Sequence, residues 1–78
     1  MHDNVQTRII ACLKEIFQDQ PDIHENTRLE EIGLDSMNYI RLIVGLEDEF
    51  EIEINDEDIH MENFASPLHI HTMVTNYI

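Results

Sequence analysis

The 78-residue chain has no tryptophan, one cysteine, two glycines, two prolines and only four Lys or Arg residues. Each shortage excludes something. A single cysteine, Cys12, permits no intrachain disulfide, and that usage fits a reducing cytoplasm. No apolar run approaches the roughly 18 residues that a membrane span needs. Met1-His2-Asp3-Asn4 lacks the basic-then-apolar order of a secretory signal, so Met1 reads as a natural start. Four bases against 17 acids leave a formal charge of −13. Nucleic acid and anionic lipid would both repel such a chain, whereas a basic protein surface would attract it.

What is present sets further bounds. Hydrophobic residues make up 42%, too many for a disordered acidic tail. The length allows one domain, residues 1–78, burying roughly 60–65% of its unfolded surface. Such a core leaves little room for a deep, water-free active site. The charge is also uneven. All four bases lie within residues 1–41, and eight of the acids fall between Glu47 and Asp58. Such a run serves either as a solvated face or as a docking surface for basic partners.

Hydrophobic spacing predicts helices and no strand pair. Val5, Ile9, Cys12, Leu13, Ile16 and Phe17 form one stripe of a helix over about residues 4–18. Asp3 or Asn4 would cap it, and Pro21 lies beyond its end. Residues 19–35 read as a long loop whose Ile23, Leu29, Ile32 and Leu34 pack on the core. Thr27 and Glu30 have capping-box spacing for a helical turn at Leu29. A second helix opens at Asp35-Ser36, with Met37, Ile40, Ile43, Val44, Leu46 and Phe50 as its apolar face. Glu51-Ile52-Glu53-Ile54 alternates, but it has no strand to pair with, so it reads as an extended loop. Asn55 or Asp56 would cap a short turn through Ile59 and Met61. Ser66-Pro67 is a strong start signal for a last helix. Its Leu68, Ile70, Met73, Val74, Tyr77 and Ile78 would face inward. The expected fold is all-α: a small four-helix bundle of three longer helices and one short one, with a long loop between helices one and two.

Few residue patterns promise chemistry. Five histidines show no metal-binding spacing, and neither glycine is placed for an EF-hand loop. No metal site is expected. Cys12 lies on an apolar stripe, where a buried, inert thiol is the expected state. Of the two serines, Ser66 is explained by its position before Pro67. Ser36 ends a long loop, opens an amphipathic helix and follows an acid. A helix N-terminus offers free N–H groups and partial positive charge to a phosphate. No neighbour in sequence is a base that could activate the hydroxyl. Ser36 therefore reads as a site modified by another enzyme, and not as a nucleophile. The plainer alternative is an acidic helical interaction module in which Asp35-Ser36 is only a cap.

The segment Leu29-Glu30-Glu31-Ile32-Gly33-Leu34-Asp35-Ser36-Met37, continued by Leu46 to Ile54, resembles the acyl carrier and peptidyl carrier proteins. The resemblance spans nearly the whole chain. It implies a non-enzymatic carrier bearing 4′-phosphopantetheine on Ser36, flanked by Asp35 and by the partner-contacting Met37. It also implies a phosphopantetheinyl transferase that installs the arm. A ligase would load acyl or aminoacyl cargo as a thioester, and synthases, transferases or tailoring enzymes would act downstream. Partner docking is expected at Asn38, Tyr39, Arg41, Glu47 and Asp48, weak and fast enough for the carrier to leave. Tyr39 is also placed to shield the apolar stripe. Fatty-acid carriers usually carry acids early in helix two, where this chain has neutral Asn38 and positive Arg41. That departure favours a free-standing, monomeric, cytoplasmic carrier in polyketide, nonribosomal peptide or aminoacyl-transfer synthesis. A fatty-acid synthesis carrier is the alternative within the same class.

Overall fold

The computed structural model describes residues 5–20 and 22–78. Among the described residues three α-helices, α1 (Val5–Ile16), α2 (Ser36–Phe50) and α3 (Pro67–Val74), form the bundle. Three 3-10 turns lie at Leu29–Ile32, Asp56–Asp58 and Met61–Phe64. No described residue is in a strand. The all-α architecture is as expected, and the short fourth helix is 3-10 rather than α. Two 3-10 turns make it up, because neither short segment is long enough to repay helix nucleation.

In α1, Ile9 and Leu13 are wholly buried, and Val5, Ile10, Cys12 and Ile16 pack partly against the core. The helix stops at Ile16, short of residue 18, although the Phe17 N–H still donates to the Leu13 carbonyl at 2.8 Å. The caps expected at Asp3 or Asn4 and the stop at Pro21 lie outside the described residues. In the loop that follows, Ile23, Leu29 and Leu34 are buried as expected. Two backbone bonds of 3.0 Å stitch it to the last helix: Leu29 N–H to Ala65 C=O, and Leu68 N–H to Glu25 C=O. Thr27 is not the cap of the Leu29 turn. Its hydroxyl accepts from the His24 N–H at 2.8 Å, and Arg28 occupies the cap position with no side-chain bond.

The face that α2 turns inward differs from the expected one. Leu42 and Leu46 are wholly buried and Phe50 nearly so, with Tyr39 and Ile43 half-buried beside them. Met37, Ile40 and Val44 point outward, at 72%, 63% and 55% exposure. Both sets have helical spacing, so periodicity alone could not say which faces the core. Arg8 ties α1 to the far end of α2. It donates to the Glu49 carboxylate at 2.7 Å and to its carbonyl at 2.6 Å, and its guanidinium lies 4.4 Å over the Phe50 ring.

Beyond α2, Glu51 adopts a left-handed φ of 54°, and Ile52 to Ile54 form neither helix nor strand, a loop as expected. Glu47 organises this exit. Its carbonyl receives the N–H groups of Glu51 and Ile52, and its carboxylate takes the Ile54 N–H at 2.9 Å. Asn55 stands at the cap position of the next turn without a side-chain cap bond, and its N–H donates to the Tyr77 hydroxyl. That hydroxyl donates in turn to Asp58. In α3, Ser66 caps and Pro67 opens the helix as expected, and Ile70, Met73 and Val74 are buried. Leu68 and Ile78 are exposed, against expectation. Leu68 flanks an open cavity, and Ile78 lies beyond the turn that ends α3 at Val74.

Candidate functional site at the start of α2

Four residues fix the approach to Ser36. Gly33, at φ 109°, ends the Leu29–Ile32 turn, a conformation that favours glycine. Leu34 is buried and its N–H donates to the Leu29 carbonyl at 3.0 Å. Asp35 is extended and caps α2, its Oδ1 accepting from the Asn38 N–H at 3.0 Å. The Asn38 side-chain amide reaches back to the Gly33 carbonyl at 3.3 Å. Loop and helix are thereby clipped together on both sides of Ser36. Ser36 itself is exposed, the first residue of α2. Among the described residues, the N–H groups of Ser36 and Met37 have no acceptor. The positive end of the helix thus sits beside an accessible hydroxyl.

Ser66 offers a contrast. It is 6% exposed, accepts from the His69 N–H, and lies 2.7 Å from the His69 ring Nδ1. It is spoken for by its own helix. The capping role and accessibility that were alternatives for Asp35-Ser36 coexist, because Asp35 caps and leaves Ser36 free.

The other singled-out residues are distributed along and around α2. Met37 and Arg41 are exposed on the same outward ridge as Ile40 and Val44, with Asp48 further along it. Arg41 makes no ion pair with another described residue. Asn38 is half-buried by its contact with Gly33, and half-buried Glu47 is engaged with Ile54. Tyr39 packs edge-on against Phe64, ring centroids 5.0 Å apart, and its buried hydroxyl has no partner among the described residues. It shields the core. Cys12 is half-buried beneath the Gly45 carbonyl, and burial, with the charges of Glu49 and Glu15, pushes its thiol up to about 11. A thiol held protonated is a poor nucleophile. No group of three or more His, Cys, Asp or Glu is placed to share a metal among the described residues. No described helix is long and apolar enough to cross a membrane. The outward placement of Ile40 and Val44 was missed. The available signal was an excess: α2 carries more apolar positions than one buried stripe can use.

Comparison with known families decides what such a site belongs to. Residues 7–68 match the family model described as the phosphopantetheine attachment site. The chain belongs to this family. It is similar to aminoacyl carrier protein 2 of Bradyrhizobium diazoefficiens, 32% identical over 96% of this chain and 88% of the relative. Aminoacyl carrier protein 1 of the same organism is 34% identical over 91% and 82%. The acyl carrier protein of Clostridium perfringens is 40% identical, but over 59% of this chain and 68% of the relative. Among solved structures, it resembles a chain in the crystal structure of Bradyrhizobium japonicum glycine:[carrier protein] ligase complexed with glycylated carrier protein. That match has a TM-score of 0.74 and 33% identity, covering 90% of this chain and 99% of the other. The carrier is not itself an enzyme, and its cofactor is 4′-phosphopantetheine, held covalently on a serine. The residues fit that group: Ser36 offers an exposed hydroxyl at a helix N-terminus, whose free N–H groups would face a phosphodiester attached there.

Proposed function

We propose that Ser36 carries the arm and that the chain is an aminoacyl carrier, loaded by an amino acid:carrier ligase. The observation that carries this reading is the contrast between an exposed Ser36 and a buried, hydrogen-bonded Ser66. Whole-length similarity to aminoacyl carriers supports the class of cargo. When attached, the arm's terminal thiol holds the cargo as a thioester. The chain's own residues present the attachment point and the surface on which enzymes dock. What the carrier adds to each reaction is a raised effective concentration of the cargo at the enzyme it docks on.

Docking rests on the outward ridge of α2. Met37, Ile40 and Val44 offer apolar contact near Ser36, Arg41 adds a positive charge, and Asp48 adds a negative one further out. Asn38, Tyr39 and Glu47 border the ridge and hold its shape. A ridge that is apolar and locally positive suits partners other than those that read an acidic helix. The partners in this reading are a phosphopantetheinyl transferase, the loading ligase and the enzymes that consume the cargo. The carrier acts as a cytoplasmic monomer.

The test has two stages. Incubation with coenzyme A and a broad-specificity phosphopantetheinyl transferase is expected to add one arm by intact mass, and nothing to Ser36→Ala. Incubation of the product with glycine, ATP and the Bradyrhizobium japonicum ligase is expected to add one glycyl group. No first gain, or an equal gain in Ser36→Ala, overturns the assignment of Ser36.

A further inference from the structure

Among the described residues, the sulfur atoms differ sharply in what can reach them. Met73 is 4% exposed, inside the core, and Cys12 is half-buried beneath the Gly45 carbonyl. Peroxides attack the thiolate form of a cysteine, and burial holds the Cys12 thiol protonated. Met61 is 51% exposed and Met37 72%, the largest exposure of any bulky apolar side chain described. A thioether needs no deprotonation before it reacts. The two exposed methionines are therefore the sulfurs open to an oxidant.

Those two stand in different places. Met61 opens the 3-10 turn Met61–Phe64, away from α2. Met37 directly follows Ser36 and begins the outward ridge, with exposed Ile40 three residues on and Arg41 after it. Its backbone lies in the first turn of α2, which Asp35 caps through the Asn38 N–H at 3.0 Å. Its side chain takes no part in that cap and is not among those packed on the core. An oxygen added to the sulfur would leave the start of the helix as it is. It would also set a strong hydrogen-bond acceptor on the apolar surface next to Ser36. An enzyme covering that surface would have to bury the oxygen, which weakens binding unless a donor meets it.

We propose that Met37 is a reversible oxidation site that governs access to Ser36: the thioether admits partner enzymes, and the sulfoxide turns them away. The proposal rests on Ser36 as the attachment point and on the ridge of α2 as the docking surface. In the forward step the sulfur lone pair bonds to one oxygen of hydrogen peroxide. The O–O bond breaks, the other oxygen leaves as water, and sulfur has given up two electrons to the peroxide. In the return step two thiols of a sulfoxide reductase supply two electrons and two protons. The S–O bond breaks, and the products are the thioether, water and a disulfide. Arm attachment thus slows under peroxide and recovers once reducing thiols prevail.

The arm-free carrier is treated briefly with hydrogen peroxide, and catalase then removes the excess, so that neither arm nor enzyme meets the oxidant. Trypsin cuts after Arg28 and Arg41 and releases residues 29–41, in which Met37 holds the only sulfur. That peptide is expected to gain one oxygen while Met73 stays reduced. Transfer of the arm from coenzyme A by a broad-specificity phosphopantetheinyl transferase is then followed by intact mass, with the carrier below saturation. The rate should fall about tenfold, with the melting temperature unchanged. Methionine sulfoxide reductases A and B with dithiothreitol should restore it. Each variant is compared with its own untreated sample: the fall should persist in Met61→Leu and vanish in Met37→Leu. A full rate in carrier oxidised at Met37 would overturn the proposal. So would an equal fall in Met37→Leu, Met73 oxidised as fast as Met37, or a slowed transfer that comes with a lowered melting temperature. An untreated carrier that gains no arm fails at the earlier step and refutes the attachment assignment instead.

Discussion

Helix α2 carries two apolar stripes with opposite fates. The inner one, Leu42, Leu46 and Phe50, is buried in the shared core. The outer one, Met37, Ile40 and Val44, meets solvent. The residue types are alike, so the difference comes from what each stripe faces. Each buried side chain of this size is worth roughly 1.5–3 kcal/mol relative to exposure. The outer stripe forgoes that gain in a domain small enough to need it. On the proposed assignment of the arm to Ser36, a partner that reaches the arm would cover this stripe.

The sharpest way to break this comparison is substitution on each face, read by urea unfolding. Phe50→Ala is expected to cost about 3–5 kcal/mol, and Leu46→Ala about 2–5 kcal/mol. Either is a large part of the stability of a chain this size. Met37→Ser, Ile40→Ser and Val44→Ser should each stay within about 0.5 kcal/mol. An outer substitution as costly as an inner one would erase the distinction. At the junction between loop and ridge, Asp35→Ala should cost about 1 kcal/mol through its lost cap, with Ser36 still present to accept an arm. Gly45 lies between the two faces, and a Cβ there would meet nothing within 4 Å. Gly45→Ala should therefore stabilise by about 0.5–1 kcal/mol. A loss of stability would show a crowding that the fold does not display.

The remaining predictions concern charge. Burial raises the Cys12 thiol from 9.0 to about 11. The hydrogen bond to Asp58 raises the Tyr77 hydroxyl above its ordinary value of 10.0, and burial raises that of Tyr39. A raised value means that the folded chain holds the proton more tightly. The stability these groups contribute is complete below their unfolded values and is lost as pH rises through the folded ones. Melting temperature should fall from about pH 9 upward, and Tyr77→Phe and Cys12→Ala should each remove part of that slope. The smallest effect is expected from salt. Moderate ionic strength should raise the melting temperature by screening the acids between Glu47 and Asp58, and a flat response would contradict it.

Much of this was legible in the sequence because it depends on local chemistry. Ser66-Pro67 opens a helix wherever it stands, since a cap and a missing N–H act within one turn. Asp35-Ser36 marks the start of α2 for the same reason, and the loop residues Ile23, Leu29 and Leu34 had nowhere to go but inward. The misreadings share a cause. Thr27 had capping spacing, yet its hydroxyl found the His24 N–H closer at hand. Glu47 stands in the sequence as one acid of a run, with no sign that its carboxylate holds the turn after α2. Each side chain had two local partners to choose from, and the path of the chain chose.

By itself the sequence determined the helical class, the net charge of −13 and the pairing of an acid with a serine at a helix start. Those follow from composition and from interactions spanning a few residues. Only the tertiary structure decided which stripe of α2 is core, which serine is accessible, and that a cavity opens beside Leu34. Burial is a relation between segments distant in sequence, and periodicity along one helix carries no record of what packs against it.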